Sequence, residues 1–520
     1  MSVLIFLIVL YILLGITLMK LFEKAGISPT KALIPGVAAA EWCKMIGRKP
    51  TYALWLLFPV VNLFIYAGMV IDTIRSFGRF GFGDAVMAVI FAPIPFYQTG
   101  KDSKAVYGGP ILEKEREYHL LHNEALEKKD TLALKKLENQ YPFMKKSGTR
   151  EWAEAIIFAV FAASFIRMFL IEAYVIPTSS MEGSLKVGDF LFVSKAHYGI
   201  RTPMTVLQFP LMHNRLPLNM GESYLDNPSL PYYRLPAIEK IKRNDPIVFN
   251  WPAGDSVILA PNRSWDMNQA RLKWGASAMS RAKIITRPID KKDHYIKRCI
   301  AIAGDSLQIR GGQVYVNGQA AQNPTHMQFS YILSAPQGVS VRPEQLEAMN
   351  INLPEARGNV VQLDEKQLQG VKALGLNAER EKSPAAPGYM FPNDRKLYSN
   401  WTVDDFGPIW VPKKGATTPL TMENLSFYKR VITLYEGNKL EVKQGKIYIN
   451  DQEATSYTFK QNYYWMQGDN RHNSEDSRFW GYVPEDHIVG KPLFIWFSTK
   501  YGSISNGINW NRIFKSATSM

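Results

Sequence analysis

Residues 174–193 read Tyr-Val-Ile-Pro-Thr-Ser-Ser-Met-Glu-Gly-Ser-Leu-Lys-Val-Gly-Asp-Phe-Leu-Phe-Val, and the character of the chain changes across them. Before them, Ala153–Ile171 is an apolar run of helical length; after them, Phe190–Val193 opens a series of short β-type segments. Between the two, Pro177 fixes the backbone, Thr178, Ser179 and Ser180 form a hydroxyl cluster, and Met181 and Leu185 offer an apolar platform. Alone, the segment reads equally as a polar linker leaving a membrane helix or as a turn presenting a nucleophile.

Upstream lie further apolar runs. Ser2–Met19 carries no charge and is near the minimum of about 18 residues for a bilayer span. It lacks the basic start and small-residue cleavage site of a signal peptide, which favours an uncleaved anchor. Tyr52–Ile71 is a second run, and Ala85–Tyr97, interrupted by Pro93 and Pro95, a shorter third that reads as a kinked or re-entrant span. Lys101–Arg150 is dense in Lys, Arg and Glu at helical spacing, and Leu21–Pro50 carries Lys24, Lys31, Lys44, Arg48 and Lys49. The positive-inside rule puts both in the cytoplasm, so Ala153–Ile171 runs outward and everything after about residue 175 lies outside it. Arg75 and Arg79, in the intervening outer loop, argue against this arrangement.

The 520 residues hold 46% hydrophobic residues and a formal charge of +15. With apolar spans present, the charge is explained by Lys and Arg holding loops at the membrane face, and no basic-aromatic stripe points to nucleic acid. Cys43 and Cys299 lie far apart without metal-ligand spacing, so neither a disulfide framework nor a zinc site is expected.

Downstream, Phe190–Val193, Pro246–Phe249, Tyr295–Ile302 and Leu493–Trp496 read as strands, and Gly311-Gly312 and Asn317-Gly318 as hairpin turns. Two loop-rich stretches interrupt this β region: Arg201–Pro236, and an insertion of residues 324–425 with helical patterns at Pro354–Arg357 and Asp364–Leu374. Tyr295-Ile-Lys-Arg to Asn317 also resembles Phe427-Tyr-Lys-Arg to Asn450, which offers two candidate lysines, Lys297 and Lys429. A hydroxyl nucleophile needs a proton acceptor, and a lysine whose pKa is lowered by burial can serve. Lys297 sits in an apolar strand, although most lysines so placed reach solvent. Met466–Gly481 is a glycine-bearing loop in which Asp469, Arg471, Asp476 and Arg478, flanked by aromatics, read as a paired network holding a site rigid.

Together these blocks resemble type I signal peptidase, the serine-lysine family that removes signal peptides from exported proteins. Its serine box stands here as Pro177-Thr-Ser-Ser-Met181, a strand as Asn244-Asp-Pro-Ile-Val-Phe249, and its lysine box as Tyr295-Ile-Lys-Arg298 with Gly304-Asp305. Its last box is Gly468-Asp-Asn-Arg471 with Asn473-Ser474 and Asp476-Ser-Arg478. The resemblance implies Ser180 as nucleophile, Lys297 as general base, Ser474 orienting the lysine, and Thr178 in the oxyanion hole beside the Ser180 N–H. Asp469, Asn470, Arg471, Asp476, Arg478 and Arg298 would be structural support. Ile176, Met181, Tyr295 and Ile296 would line pockets for small residues at the −3 and −1 positions. It implies N-terminal transmembrane helices followed by a mostly β catalytic domain with loop-rich insertions, at the bacterial cytoplasmic (inner) membrane. Signal peptides of exported preproteins and the lipid bilayer would be its partners, with no metal or cofactor. The division that follows is a membrane region over 1–100, a cytoplasmic segment over 101–150 and a membrane helix over 151–172. The catalytic domain takes 173–323 and 426–500, leaving the insertion and a tail over 501–520.

This chain departs from the family's usual pattern at Gly183-Ser184-Leu185, where Pro-Thr-Leu is frequent, and at His472, where a second Asp is usual. Lys429 is the alternative base, but the spacing that follows it is shifted by one residue. A Ser-His-Asp reading with His472 and Asp469 lacks a nucleophile-elbow motif, and no His-Glu-x-x-His supports a metalloprotease. The alternative from another class is a catalytically inactive, membrane-anchored scaffold.

Overall fold

The strand just before the serine cluster and six of the strands after it assemble into one antiparallel sheet. Its strands are β1 (Ile171–Val175), β2 (Asp189–Ser194), β3 (Pro246–Asn250), β4 (His294–Ala301), β5 (Tyr463–Gln467), β6 (Val483–Pro484) and β7 (Ile488–Ser498). Their order is β1-β2-β7-β3-β4-β5-β6. The computed structural model describes residues 2–57, 61–141, 144, 148–216, 221–227, 229–252, 256–259, 264–267, 270, 274, 284–383, 389–394 and 396–518. Parts of Arg201–Pro236 and of the insertion therefore lie outside the described residues. The chain divides into two units, residues 1–159 and 160–520.

β3 is buried at all five positions, as a central strand must be, which is why Pro246–Phe249 is a continuous apolar run rather than an alternating one, and the buried Asn250 that ends it donates to Lys292 O. Its side chains feed two cores in turn. Val248 joins Ile176, Met181, Leu185, Leu191 and Ile495 on one face. Ile247 and Phe249 join Tyr198, Trp251, Cys299, Met466 and Trp480 on the other.

A second sheet orders the strands 319–320, 313–316, 306–310 and 406–410. Both of its expected turns form: Gly311 and Gly312, then Asn317 and Gly318, all have positive φ, as type I′ hairpins require. The strand Phe406–Trp410 lies inside the stretch read as an insertion, yet it pairs with Ser306–Arg310. Only the first part of that stretch is a module of its own. There, Phe329–Ser334, Val360–Leu363 and Asn377–Arg380 form a small sheet with its own core of Ile351, Val361, Leu363, Leu368 and Val371. The pattern at Asp364–Leu374 is the helix Glu365–Ala373, capped by Asp364, whose carboxylate accepts from the Gln367 N–H. Pro354–Arg357 gives only a 3₁₀ turn, Leu353–Glu355. The tail also is not free: Ala517 is buried, and its N–H donates to Leu493 O of β7.

The internal repeat is half real. Leu440–Lys443, Lys446–Ile449 and Gln452–Glu453 repeat the meander of 306–320. Its Lys-Arg half folds differently, because Thr421 and Asn424 bond reciprocally and start the helix Leu425–Arg430. Lys429 is therefore an exposed helical residue rather than a strand lysine.

In the first unit, α1 (Ser2–Lys24), α2 (Val37–Ile46), α3 (Val61–Ser76), α4 (Phe82–Phe91) and α5 (Pro93–Lys101) share a core of Leu18, Phe22, Trp42, Ile46, Val70, Ile74, Ala88 and Phe96. Lys24 donates to the carbonyls of Thr99, Asp102 and Ala105 at the end of α5, where the helix dipole favours a cation. The second apolar run is not one helix: Pro50–Leu57 is a 3₁₀ segment before α3, and residues 58–60 lie outside the described residues. The third breaks after Ala92, where Pro93 starts a new helix because it has no N–H to continue the old one. α6 (Ile111–Glu127) and α7 (Thr131–Gln140) realise the helical charge pattern of the basic segment, and α8 (Gly148–Phe169) follows. Among the described residues no helix is long and apolar enough to cross a membrane.

Candidate active site

Extended backbone at Thr178 leads into a single 3₁₀ turn, Ser179–Met181, which presents Ser180. The turn is tied from below by the Glu182 N–H to Ser179 O and the Leu185 N–H to Met181 O, while the buried Met181 and Leu185 anchor it in the core. Gly183 follows at φ +98°, and a Cβ there would stand 2.2 Å from His326 O, so only glycine fits. Ser184, within the same departure from the family pattern, donates to Asp469 Oδ2 (2.6 Å).

Strand β4 delivers the lysine. Lys297 pairs in register with Ile247 of β3, and its Nζ donates to Ser180 Oγ (2.7 Å) and Ile296 O (2.9 Å). The side chain lies over the Tyr295 ring (5.4 Å), which itself stacks on Trp251 and meets the edge of Trp480. Lys297 is only 3% exposed. Burial pulls its pKa down to about 8, against the opposing pull of Asp476, Glu475 and Asp469.

The loop after β5 supplies the expected network. Asp469, fully buried, receives a fork from Arg298 (Nε to Oδ1 2.7 Å, Nη2 to Oδ2 2.6 Å), and Arg298 also donates to Asn244 O. Arg478 forks onto Asp476 (2.8 and 2.7 Å) and donates to Arg471 O, closing the loop on itself. Although burial works the other way, Arg478 and the Gly468 N–H hold Asp476 below the ordinary carboxylate range. Burial, with Arg478 nearby, brings Arg471 down to about 10. Asn470 joins this loop to the serine turn: its N–H donates to Ser180 O and its Nδ2 to Ser179 O.

Ser474 is the exception. Its Oγ is buried without a hydrogen bond of good geometry, though it lies near enough to Asp476 to help hold that carboxylate ionised. The bond to Lys297 implied by the resemblance is not formed, since the ammonium is directed to Ser180 and Ile296. Lys429 does not approach Ser180 in any hydrogen bond. His472, offered as partner of Asp469, instead pairs with Asp404 (3.0 Å) and accepts from the Ser330 N–H.

Ser180 and Lys297 open onto a cavity of about 830 Å³ whose lining includes Thr178, Ile176, Met181, Tyr295 and Ile296, with Leu191 and Val248 completing an apolar floor. Two residues that sequence reasoning did not mark also line it, Glu355 and Glu475. Glu355 Oε2 accepts from Ser179 Oγ (2.9 Å), a contact across 176 positions that no local signal announces. A hydroxyl held against a buried, readily neutralised amine beside an apolar trough can attack a peptide bound in that trough.

The family model for signal peptidase, peptidase S26, matches residues 149–367 and 455–497, half of the chain. A model for a family of unknown function (DUF5684) matches residues 30–110. Among curated proteins, the chain is 26% identical to signal peptidase I of Haemophilus influenzae over 66% of this chain and 68% of that one. It is 24% identical to signal peptidase I of Helicobacter pylori over 70% and 90%, and 22% identical to that of Pseudomonas aeruginosa over 70% and 78%. The matched stretches contain the serine turn, the lysine strand and the Asp-Arg loop, and the chain accordingly belongs to the signal peptidase family, peptidase S26, and is a hydrolase of that family.

Proposed function

We propose that the chain is a membrane-bound endopeptidase that cleaves signal peptides from exported preproteins by a Ser180–Lys297 dyad. The observation that carries this reading is the 2.7 Å contact between Lys297 Nζ and Ser180 Oγ in a buried setting. Neutral Lys297 accepts the Ser180 proton as Oγ attacks the carbonyl that ends the signal peptide. The Ser180 N–H and the Thr178 hydroxyl receive the oxyanion. Lys297 then returns the proton to the leaving amine and activates the water that releases the acyl-enzyme. Ile176, Met181, Tyr295 and Ile296 shape the floor for the small residues before the cut. Asp469, Asn470, Arg471, Asp476, Arg478 and Arg298 hold the turn and strand at their spacing, and Ser474 supports that loop through Asp476.

Membrane attachment is part of the same proposal. It is supported by the exposed apolar side chains of α1, among them Ile8, Val9, Ile12 and Ile16, and of α8, among them Ile156, Phe158 and Ile166. The expected division into membrane region, cytoplasmic segment and extracytoplasmic catalytic domain goes with it.

The test is cleavage of a secretory precursor by detergent-purified protein. Ser180→Ala and Lys297→Met abolish the shortened product while Lys429→Met retains it. Cleavage surviving in Lys297→Met, or lost in Lys429→Met, overturns the assignment of the base; cleavage by Ser180→Ala overturns that of the nucleophile.

A further inference from the structure

The residues after β7 lie beyond the stretches matched by the family model, and they fold back on the sheet directly behind the serine turn. Asn509 fixes the return: its N–H donates to Ser498 O and its Nδ2 to Ser498 Oγ and Thr499 O. The 3₁₀ turn Trp510–Arg512 follows. It delivers the Arg512 guanidinium, 11% exposed, onto the Asp189 carboxylate, which is fully buried. Arg512 Nε donates to Asp189 Oδ1 (3.0 Å) and Nη2 to Oδ2 (2.7 Å), and Nη2 also donates to Ser184 O (2.8 Å). Ser498 Oγ and the Lys186 N–H complete the ring around Asp189.

Ser184 is what makes this placement consequential. Its carbonyl is held by Arg512 and its hydroxyl by Asp469, the residue on which Arg298 forks, one position from Lys297. The backbone of Asp189 also exchanges bonds with the start of the serine segment: Ile176 N–H donates to Asp189 O, and the Gly188 N–H to Ile176 O. The segment 176–184 is thus gripped at both ends by groups that Arg512 bridges.

We infer that Arg512 is a positioning residue for the Ser180 turn, so that the C-terminal tail is a working part of the hydrolase. The inference rests on Ser180 being the nucleophile. Arg512 never touches the reacting atoms; it fixes the carbonyl four residues after Ser180, and a displacement of about 1 Å in a nucleophile costs on the order of 100-fold in rate.

The experiment compares kcat and KM for a secretory precursor in Arg512→Lys, Arg512→Met and the double variant Asp189→Asn/Arg512→Met. A lysine keeps the charge beside Asp189 but cannot fork its two oxygens and reach Ser184 O together. We expect Arg512→Lys to keep its melting temperature within a few degrees while kcat falls about 10- to 100-fold and KM stays nearly constant. The double variant removes the buried carboxylate along with its partner, so it regains stability over Arg512→Met yet stays slow. Wild-type kcat in a folded Arg512→Lys, or recovery of kcat together with stability in the double variant, overturns the inference and leaves Arg512 a stabilising clamp. Cleavage by Ser180→Ala, run alongside, overturns the underlying reading instead.

Discussion

The buried contact between Lys297 and Ser180 fixes a pH dependence for the proposed mechanism. Lys297 has a pKa near 8 in the folded chain against 10.5 for an ordinary lysine, and burial is the main cause. Only the neutral amine can accept the Ser180 proton. At pH 7 about one molecule in ten carries it, and at pH 9 about nine in ten, so kcat/KM should rise about tenfold between these values and level off above. The same shift governs stability, with a sign opposite to that of a lysine in a salt bridge. Between pH 8 and 10.5 the unfolded chain binds the proton that the folded chain has released, so stability rises with pH across that window. Below it, the buried charge costs about 3 kcal/mol. Lys297→Met, which removes the charge and keeps much of the volume, should therefore be inactive yet more stable at pH 7 by up to about 3 kcal/mol. That advantage should vanish above the upper end of the window. The measurements are precursor cleavage from pH 6 to 10 at constant ionic strength, and urea midpoints of both proteins at neutral and strongly alkaline pH. A flat rate profile, a break near 10.5, or a Met variant less stable at pH 7 would refute the reasoning.

Three further outcomes follow from individual contacts. Glu475 opposes the downward shift of Lys297, so Glu475→Gln should move the rate profile toward acid by up to about one unit; an alkaline move would contradict the electrostatics. Arg298→Met strands the buried Asp469 carboxylate and should cost about 3–5 kcal/mol in a urea titration, whereas a loss below about 1 kcal/mol would mean the pair is replaceable. His472→Gln breaks a pair with Asp404 outside the cavity lining, so it should lower the melting temperature by a few degrees and leave kcat within about threefold; a dead enzyme would revive a histidine base.

Much of the catalytic region was legible because its signals are local. Pro177 with its hydroxyl cluster, the apolar strand around Lys297 and the paired glycine turns each announce their own backbone, and the structure places Ser180 against Lys297 through them. What was hidden is long-range or competitive. Glu355 meets Ser179 and Arg512 meets Asp189 only because the fold closes loops over them, and a lone charged residue in a loop gives no sign of its partner. The Lys-Arg pair at Lys429 misled because the reciprocal Thr421–Asn424 bonds, just before the helix Leu425–Arg430, outweigh strand propensity. In the third apolar run the break falls at Pro93, where the sequence already marked a kink, whereas nothing in the apolar composition of the second announces that Pro50–Leu57 coils as a 3₁₀ segment.

The close approach of His326 O to Gly183 joins two features far apart in the sequence, the segment that opens the small 329–380 sheet and the glycine that follows the Ser180 turn. Neither a proline nor any other side chain fits beneath that carbonyl at a positive φ, so the backbone at His326 and the glycine of the serine turn constrain each other. A side chain at 183 would therefore disturb the backbone at His326 as well as the serine turn, so damage at either point is felt at the other.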